Sequence, residues 1–275
     1  MGTPVEEIEL RIAAIGGDRD HGSTFLAMEA VRVMAAAAEV YGPGPDWQAR
    51  LSEVAGRLAA AKPAMAALRN ATRSLLEDLA ALGPVDGRPR ADALAQRLLA
   101  AMRTAAETAA ANAARLIHHS ATVATCSYSS AVLRTAQRAH SEGKSPRIVV
   151  LEPAPRPPSA GHGLVEELEN LGFAVEVSDS AGSVAERANL AIIGADAVSP
   201  EWVVNGAPTM ELAEAASAAH VPFYVVCERL KITDRAIPAP AYDLVPVALV
   251  AGVVTEEGLL PPGRIYPYHT GVADR

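Results

Sequence analysis

The chain has 275 residues, enough for one large domain or two ordinary ones with a substantial core. Half of it is hydrophobic but only 4% is aromatic, so Ala, Val and Leu must supply most of the packing. A formal net charge of −8 argues against a protein whose main task is neutralising phosphate backbones, and no direct nucleic-acid partner is expected.

The first segment, PVEEIELRIAAI, sets Val5, Ile8, Ile12 and Ile15 on one helical stripe. Its acidic opening lacks the basic-then-apolar order of a signal peptide. No apolar run reaches the roughly 18 residues of a membrane span. A cytoplasmic protein without a membrane partner is expected. The punctuation GGDRDHGS follows, and Ser23 reads as the N-cap of TFLAMEAVRVMAAAAEV. Further helices are predicted at about 46–61 and 63–82, the second with Pro63 in a tolerated first-turn position. The stretch GPVDGRPR reads as a loop, and a long helix is predicted from about Asp92 to Leu116. Residues 1–118 therefore read as a helical N-terminal domain.

From 119 onward short apolar runs alternate with helical segments. ATVATC precedes a helix at 129–141, RIVVLEP precedes GLVEELENLG, and FAVEV precedes SVAERA. LAIIGADAV then leads to TMELAEAASAAH, and PFYVVCE follows. Near-continuous Val and Ile strands separated by amphipathic helices predict a doubly wound, mainly parallel sheet covered on both faces. Residues 119–275 thus read as a Rossmann-like α/β domain, with ligands expected beyond the C-terminal ends of the strands. The closing YDLVPVALVAGVVTEEGLLPPGRI reads as an edge strand and a tail.

Several residues at those strand ends carry chemistry. Cys126 precedes a helix start with Ser127, Ser129 and Ser130 around it; a helix N-terminus favours a thiolate and attracts anions, while a buried structural Cys explains the same position. Cys227, inside an apolar run, reads as structural, and the two cysteines form neither a disulfide framework nor a metal-ligand spacing. Asp196 ends an apolar strand after Gly194, which permits a sharp turn or a close approach. It is either a proton shuttle or a loop hydrogen bonder. Asn205 and Gly206 read as a turn before Thr209, the expected N-cap of the next helix, with a phosphate or sugar hydroxyl as the sharper reading. Arg156 lies in the rigid loop PAPRPPSAGHG, and Arg19, His21, Gly22 and Ser23 gather at an earlier helix start. No dinucleotide fingerprint, Walker loop, paired-His metal site or nucleophile elbow occurs.

Read in order, TCSYSSAVLRTAQRAHSEGKSPRIVVLEPAPRP, IIGADAV, VVNGAPTMELAEAASAAHVPFYVVCERLK and YDLVPVALVAGVVTEEGLLPP resemble the superfamily of the translation initiation factor 2B α, β and δ subunits. That superfamily also holds methylthioribose-1-phosphate isomerase and ribose-1,5-bisphosphate isomerase. The resemblance implies a helical N-domain joined to a Rossmann-like C-domain, dimeric or higher. It also implies conversion of an aldose 1-phosphate to its ketose, with ribose 1,5-bisphosphate to ribulose 1,5-bisphosphate as the leading case. The family's Cys and its G-A-D aspartate match Cys126 and Asp196. By this resemblance Cys126 moves the C2 proton and Asp196 handles the oxygen or the returning proton, a shuttle that requires no metal and no organic cofactor. Arg19, His21, Gly22, Ser23, Ser129, Arg156, Asn205 and Gly206 would hold phosphate and sugar hydroxyls. The family's N-K-x-G-T stands here as N-G-A-P-T, without the Lys; its E-x-R-P is stretched to EPAPRP, with Glu152 four residues before Arg156; and the SYSS after Cys126 is closer to the translation subunits. Those departures keep a second reading in view: a sugar-phosphate- or nucleotide-binding regulatory protein without turnover. A third reading is a scaffold acting through protein contacts.

Overall fold

The computed structural model describes residues 3–152 and 162–266. The chain divides into two compact units, one running to Thr104 and the other beginning at Ala105, which is earlier than the expected boundary at 118.

In the helical unit, α1 (Pro4–Gly17) opens with a capping box, in which the Glu6 N–H donates to Thr3 Oγ1 at 3.2 Å and the Thr3 N–H to Glu6 Oε2 at 2.7 Å. It buries Ile8, Ile12 and Ile15, while Val5 is 41% exposed. In α2 (Ser23–Val40), the N-cap is Gly22 rather than Ser23, because Ser23 is already helical and buried. Small residues let α2 sit deep: Ala27, Ala30, Ala37 and Ala38 are fully buried. Next come α3 (Trp47–Ala61) and α4 (Ala66–Ala114). The ring of Trp47 is buried and its Nε1–H donates to the Ala38 carbonyl at 3.0 Å.

The predicted loop GPVDGRPR is helical instead, apart from a single break. Gly83 stands at φ 71°, ψ 174°, and the helix resumes at once. Two adjacent residues explain this. Pro84 disfavours helical backbone at the residue before it, and Gly83 accepts a positive φ without a Cβ clash. Pro84 then occupies a first-turn position, where its missing N–H costs nothing. Gly87, on the resumed helix, lies so close to Trp47 that a Cβ would come 2.9 Å from the indole Cη2.

The second unit is built from β1 (Thr122–Cys126), α5 (Ser130–Ser141), β2 (Arg147–Leu151), α6 (His162–Asn170), β3 (Val175–Ser178), α7 (Ala181–Arg187), β4 (Leu190–Ile193), β5 (Ala197–Val198), β6 (Trp202–Gly206), α8 (Thr209–Ala218), β7 (Phe223–Val226), β8 (Tyr242–Pro246), β9 (Gly252–Thr255) and β10 (Gly258–Leu260). The main sheet has order β10-β9-β7-β4-β1-β2-β3, parallel except for the final antiparallel pair β9–β10. From β1 the chain winds outward through β2 to β3, then returns to the other side of β1 with β4. The switch point of the doubly wound sheet therefore lies between β1 and β4, where such sheets open a crevice at their C-terminal ends.

A second, antiparallel sheet of order β5-β6-β8 was not foreseen. Asn205 and Gly206 lie on β6, opposite Asp243 and Tyr242 of β8, instead of in a turn. The closing stretch supplies three strands: β8 joins the small sheet, β9 lies inside the main one, and β10 is its edge. Among the described residues no helix is long and apolar enough to cross a membrane.

Replacing Trp47 by Ala removes a buried ring and opens a cavity. It should lower stability by about 3–5 kcal/mol in urea unfolding. Trp47→Phe, which keeps one six-membered ring but loses the bond to Ala38 and the indole atoms beside Gly87, should cost less, about 1–3 kcal/mol. Equal losses in the two variants would contradict this packing role.

Candidate active site

Cys126 is the last residue of β1 and Asp196 follows β4, so the two leave neighbouring central strands at the same end of the sheet. The loops after those strands touch. A Cβ on Gly194 would stand 2.2 Å from Ser129 Oγ, so only glycine lets the β1–α5 loop close onto the β4–β5 segment. Ser129 is buried and caps α5, accepting the Val132 N–H at 3.3 Å. Ser127 occupies the left-handed region at φ 53°, unusual for a residue with a side chain, and packs 3.9 Å from the position of a Cβ on Gly206.

The thiol of Cys126 is fully buried. Burial pushes it up to about 12, against the hydrogen bonds of Thr209 and Ser127, which lower it, and with a smaller push upward from the Asp243 charge. Of the two readings open for this position, the thiolate is therefore disfavoured, because loss of solvation outweighs the helix dipole. Cys126 Sγ lies 3.4 Å from Thr209 Oγ1. Thr209 in turn donates to the Gly206 carbonyl at 2.6 Å and accepts from Asn205 Nδ2 at 2.9 Å. Asn205 and Gly206 are thus joined to the cysteine through one hydroxyl.

Thr209 is the first residue of α8 and not its N-cap, which is Pro208. Asp243 Oδ2 accepts the Met210 N–H at 2.9 Å, so an internal carboxylate already occupies part of the anion seat expected for phosphate.

Asp196 is half-buried, and its N–H donates to the Val204 carbonyl at 2.8 Å, tying it to β6. Its charge is felt by two residues the sequence reading did not single out. Lys231, only 4% exposed, follows β7 in a 3-10 turn and pairs with Glu228 at 3.2 Å. Burial alone would lower this ammonium, but Glu228 and Asp196 outweigh it and hold Lys231 above its usual value. Tyr242 is pushed up to about 12, first by burial and then by the Asp196 charge. A cation inside CERLK, just past an apolar strand, was the available signal for Lys231. Tyr242 had none, since the sequence does not reveal that β8 crosses to β6.

Arg156 lies outside the described residues. Arg19, His21, Gly22 and Ser23 belong to the helical unit, where Asp18 organises the turn. Asp18 Oδ1 accepts the backbone N–H groups of Asp20 and His21 at 3.0 and 2.9 Å, and its Oδ2 meets His21 Nδ1 at 2.8 Å. Burial pushes the Asp18 carboxyl up, yet these bonds prevail and hold it below the usual range. The His21 ring stacks on Phe25, with centroids 4.0 Å apart. Arg19 and His21 remain exposed, whereas Ser23 is buried.

Gly194→Ala should cost about 1–3 kcal/mol, because the new Cβ must displace Ser129. A thermal midpoint unchanged from wild type would refute the close contact. Unfolded thiols release their protons near 9.0, whereas Cys126 and Cys227 hold theirs to about 12 in the fold. The stability they add is complete below pH 9 and is lost as pH rises towards 12. Urea titrations at pH 8 and pH 10 should show that decline, and Cys126→Ala should make it shallower.

Residues 19–238 match the model of the Initiation factor 2 subunit family. A Pyrococcus abyssi protein named as translation initiation factor eIF-2B subunit 2-like is 30% identical over 269 residues, covering 90% of this chain and 94% of its own. A Haloferax volcanii ribose 1,5-bisphosphate isomerase is 26% identical over 295 residues, covering 96% of this chain and 88% of its own. The crystal structure of a Pyrococcus horikoshii OT3 translation initiation factor eIF-2B superposes with a TM-score of 0.84 at 26% identity, over 95% of this chain and 99% of that one. With its helical N-terminal region, mostly parallel sheet and family match over most of its length, the chain belongs to the Initiation factor 2 subunit family.

Proposed function

We propose that the protein is an aldose–ketose isomerase acting on a sugar 1-phosphate, with ribose 1,5-bisphosphate as substrate and ribulose 1,5-bisphosphate as product. The observation that carries this reading is the placement of Cys126 and Asp196 at the C-terminal ends of adjacent central strands, at the switch point of the sheet. The relative named ribose 1,5-bisphosphate isomerase supports the substrate class.

The reaction is an internal redox exchange that balances without an external electron acceptor. The C2–H, O2–H and C1–ring-oxygen bonds break. The ring oxygen and C1 each gain a proton, and C2 becomes the carbonyl. Two groups that exchange protons with the substrate suffice, and Cys126 and Asp196 take those parts. Lys231, held as an ammonium among acids, supplies a buried cation near Asp196, in a chain whose N-G-A-P-T segment lacks the lysine of the related motif. Ser129, Asn205 and Gly206 contribute polar groups around the cysteine. Arg156 and the Arg19, His21, Gly22 and Ser23 turn belong to the same proposal as phosphate ligands, supported by their cationic or helix-start chemistry. A homodimer, the commonest closed assembly, completes it and is checked by light scattering.

A second reading is favoured by one observation, the complete burial of Cys126. A protein that binds a sugar phosphate or nucleotide without turnover would tolerate that burial unchanged.

The test is turnover of ribose 1,5-bisphosphate in heavy water, followed by phosphorus and proton NMR. Ketose formation should fall at least a hundredfold in Cys126→Ser and in Asp196→Asn, with deuterium entering the product. Binding without conversion would establish the second reading instead. Neither binding nor conversion would sink this substrate.

A further inference from the structure

Asn205 and Gly206 on β6 stand opposite Asp243 and Tyr242 on β8. Successive strand residues point to opposite faces, and directly opposed cross-strand partners share one. Asn205 and Asp243 face α8, since Asn205 Nδ2 donates to Thr209 Oγ1 at 2.9 Å and Asp243 Oδ2 accepts the Met210 N–H at 2.9 Å. Gly206 and Tyr242 therefore share the other face, towards the loop that follows Cys126. The Ala207 N–H, donating to the Ala241 carbonyl at 3.2 Å, extends the pairing past them. The backbone does not demand glycine at 206, because its φ lies outside the left-handed region. A Cβ would also fit: among the described residues only Ser127 comes within 4 Å of its position, through its Cβ and Oγ at 3.9 Å. The missing side chain thus leaves room, and the Tyr242 ring does not fill it. Tyr242 is half-buried, and among the described residues its hydroxyl makes no hydrogen bond. Burial, and then the Asp196 charge, push its proton release up to about 12, so at neutral pH the phenol is a donor. Where the related motif carries a lysine, this chain has open space beside a neutral hydroxyl.

We propose that Tyr242 is a specificity-determining residue, whose phenol donates a hydrogen bond to a sugar hydroxyl held in the space over Gly206. This rests on the isomerase reading above and names what that part of its site accepts. A ring hydroxyl at C2 or C3 can both accept and donate. It accepts from Tyr242 and offers its own proton to the Asp196 carboxylate, so the two neighbours are matched by one oxygen. A phosphate dianion has no proton to offer and meets the Asp196 charge instead. Residue 206 supplies no ammonium to offset that charge, and Lys231 is already paired with Glu228. The phosphates of the substrate are thereby directed elsewhere in the crevice. A sugar without the hydroxyl would leave the phenol out of water and without an acceptor, and that loss makes the recognition selective.

Dissociation constants are measured by calorimetry for ribose 1,5-bisphosphate and for its 2-deoxy and 3-deoxy analogues, in a Cys126→Ser background so that turnover adds no heat. One of the two analogues should bind roughly tenfold or more weakly than the parent sugar. Adding Tyr242→Phe should weaken the parent sugar roughly 3–10-fold and leave that analogue within about twofold, so the discrimination shrinks accordingly. The variant keeps its ring and should unfold at the temperature of the background protein. Equal weakening of all three sugars by Tyr242→Phe would show a structural role and overturn the inference. Discrimination that the variant leaves unchanged would overturn it too, as would equal affinity for all three sugars or failure of all three to bind. Turnover of ribose 1,5-bisphosphate is followed separately in the protein with Cys126 intact. Conversion together with discrimination that ignores Tyr242 would keep the isomerase and reject the hydroxyl contact. Discrimination that depends on Tyr242, in a protein that converts no sugar phosphate, would uphold the contact while rejecting the isomerase reading.

Discussion

The contact of Ser129 with the backbone of Gly194 is the constraint on which the site depends. It joins the two loops that leave β1 and β4, and those strands flank the one place where the winding of the main sheet reverses. A Cβ at 194 would have to displace the Ser129 side chain. Because the loops are pressed together, Cys126 is sealed from water, and Asp196 is carried across to the small sheet by its bond to Val204. The left-handed backbone at Ser127 belongs to the same closure, since the chain must turn sharply from strand to helix at the point where the loops meet.

Two chemically different neighbourhoods follow from that closure. Around Cys126 the groups are mainly neutral and joined in a chain from Asn205 through Thr209 to Gly206, with one acid, Asp243, at the margin. Around Asp196 the groups are charged, with Lys231 and Glu228 paired out of water. In a medium of low dielectric the first arrangement favours a protonated thiol and the second keeps an ammonium among carboxylates. The antiparallel β5-β6-β8 sheet makes this possible. It delivers Asn205, Asp243 and Tyr242 to the site from segments far apart in sequence.

The helical unit solves a different problem. With so few aromatic residues its packing relies on alanine, and Gly87 and the Ala38 carbonyl meet the buried ring of Trp47. The Gly83–Pro84 pair breaks α4 without a loop, since one residue leaves the helix and the next is suited to begin it. The predicted loop failed there because two prolines and two glycines read as punctuation, whereas Pro84 sits in a first turn and Gly87 is needed for contact with Trp47.

Hydrophobic periodicity and cap chemistry are local properties, and they determined the order of helices and strands, the parallel grammar of the second half and the prominence of Cys126 and Asp196 in loops at strand ends. Only tertiary structure decided what those residues experience. Nothing in TCSYSS shows that the thiol is sealed, because burial is set by a loop some seventy residues away. Nothing in VVNGAPT shows that Asn205 lies on a strand and Thr209 faces sulfur, because β6 is completed by β8. Lys231 and Tyr242 became part of the site only when strands distant in sequence were laid side by side. The sequence alone determined which groups are present; protonation depends on solvation and on partners across space, and those exist only in the folded chain.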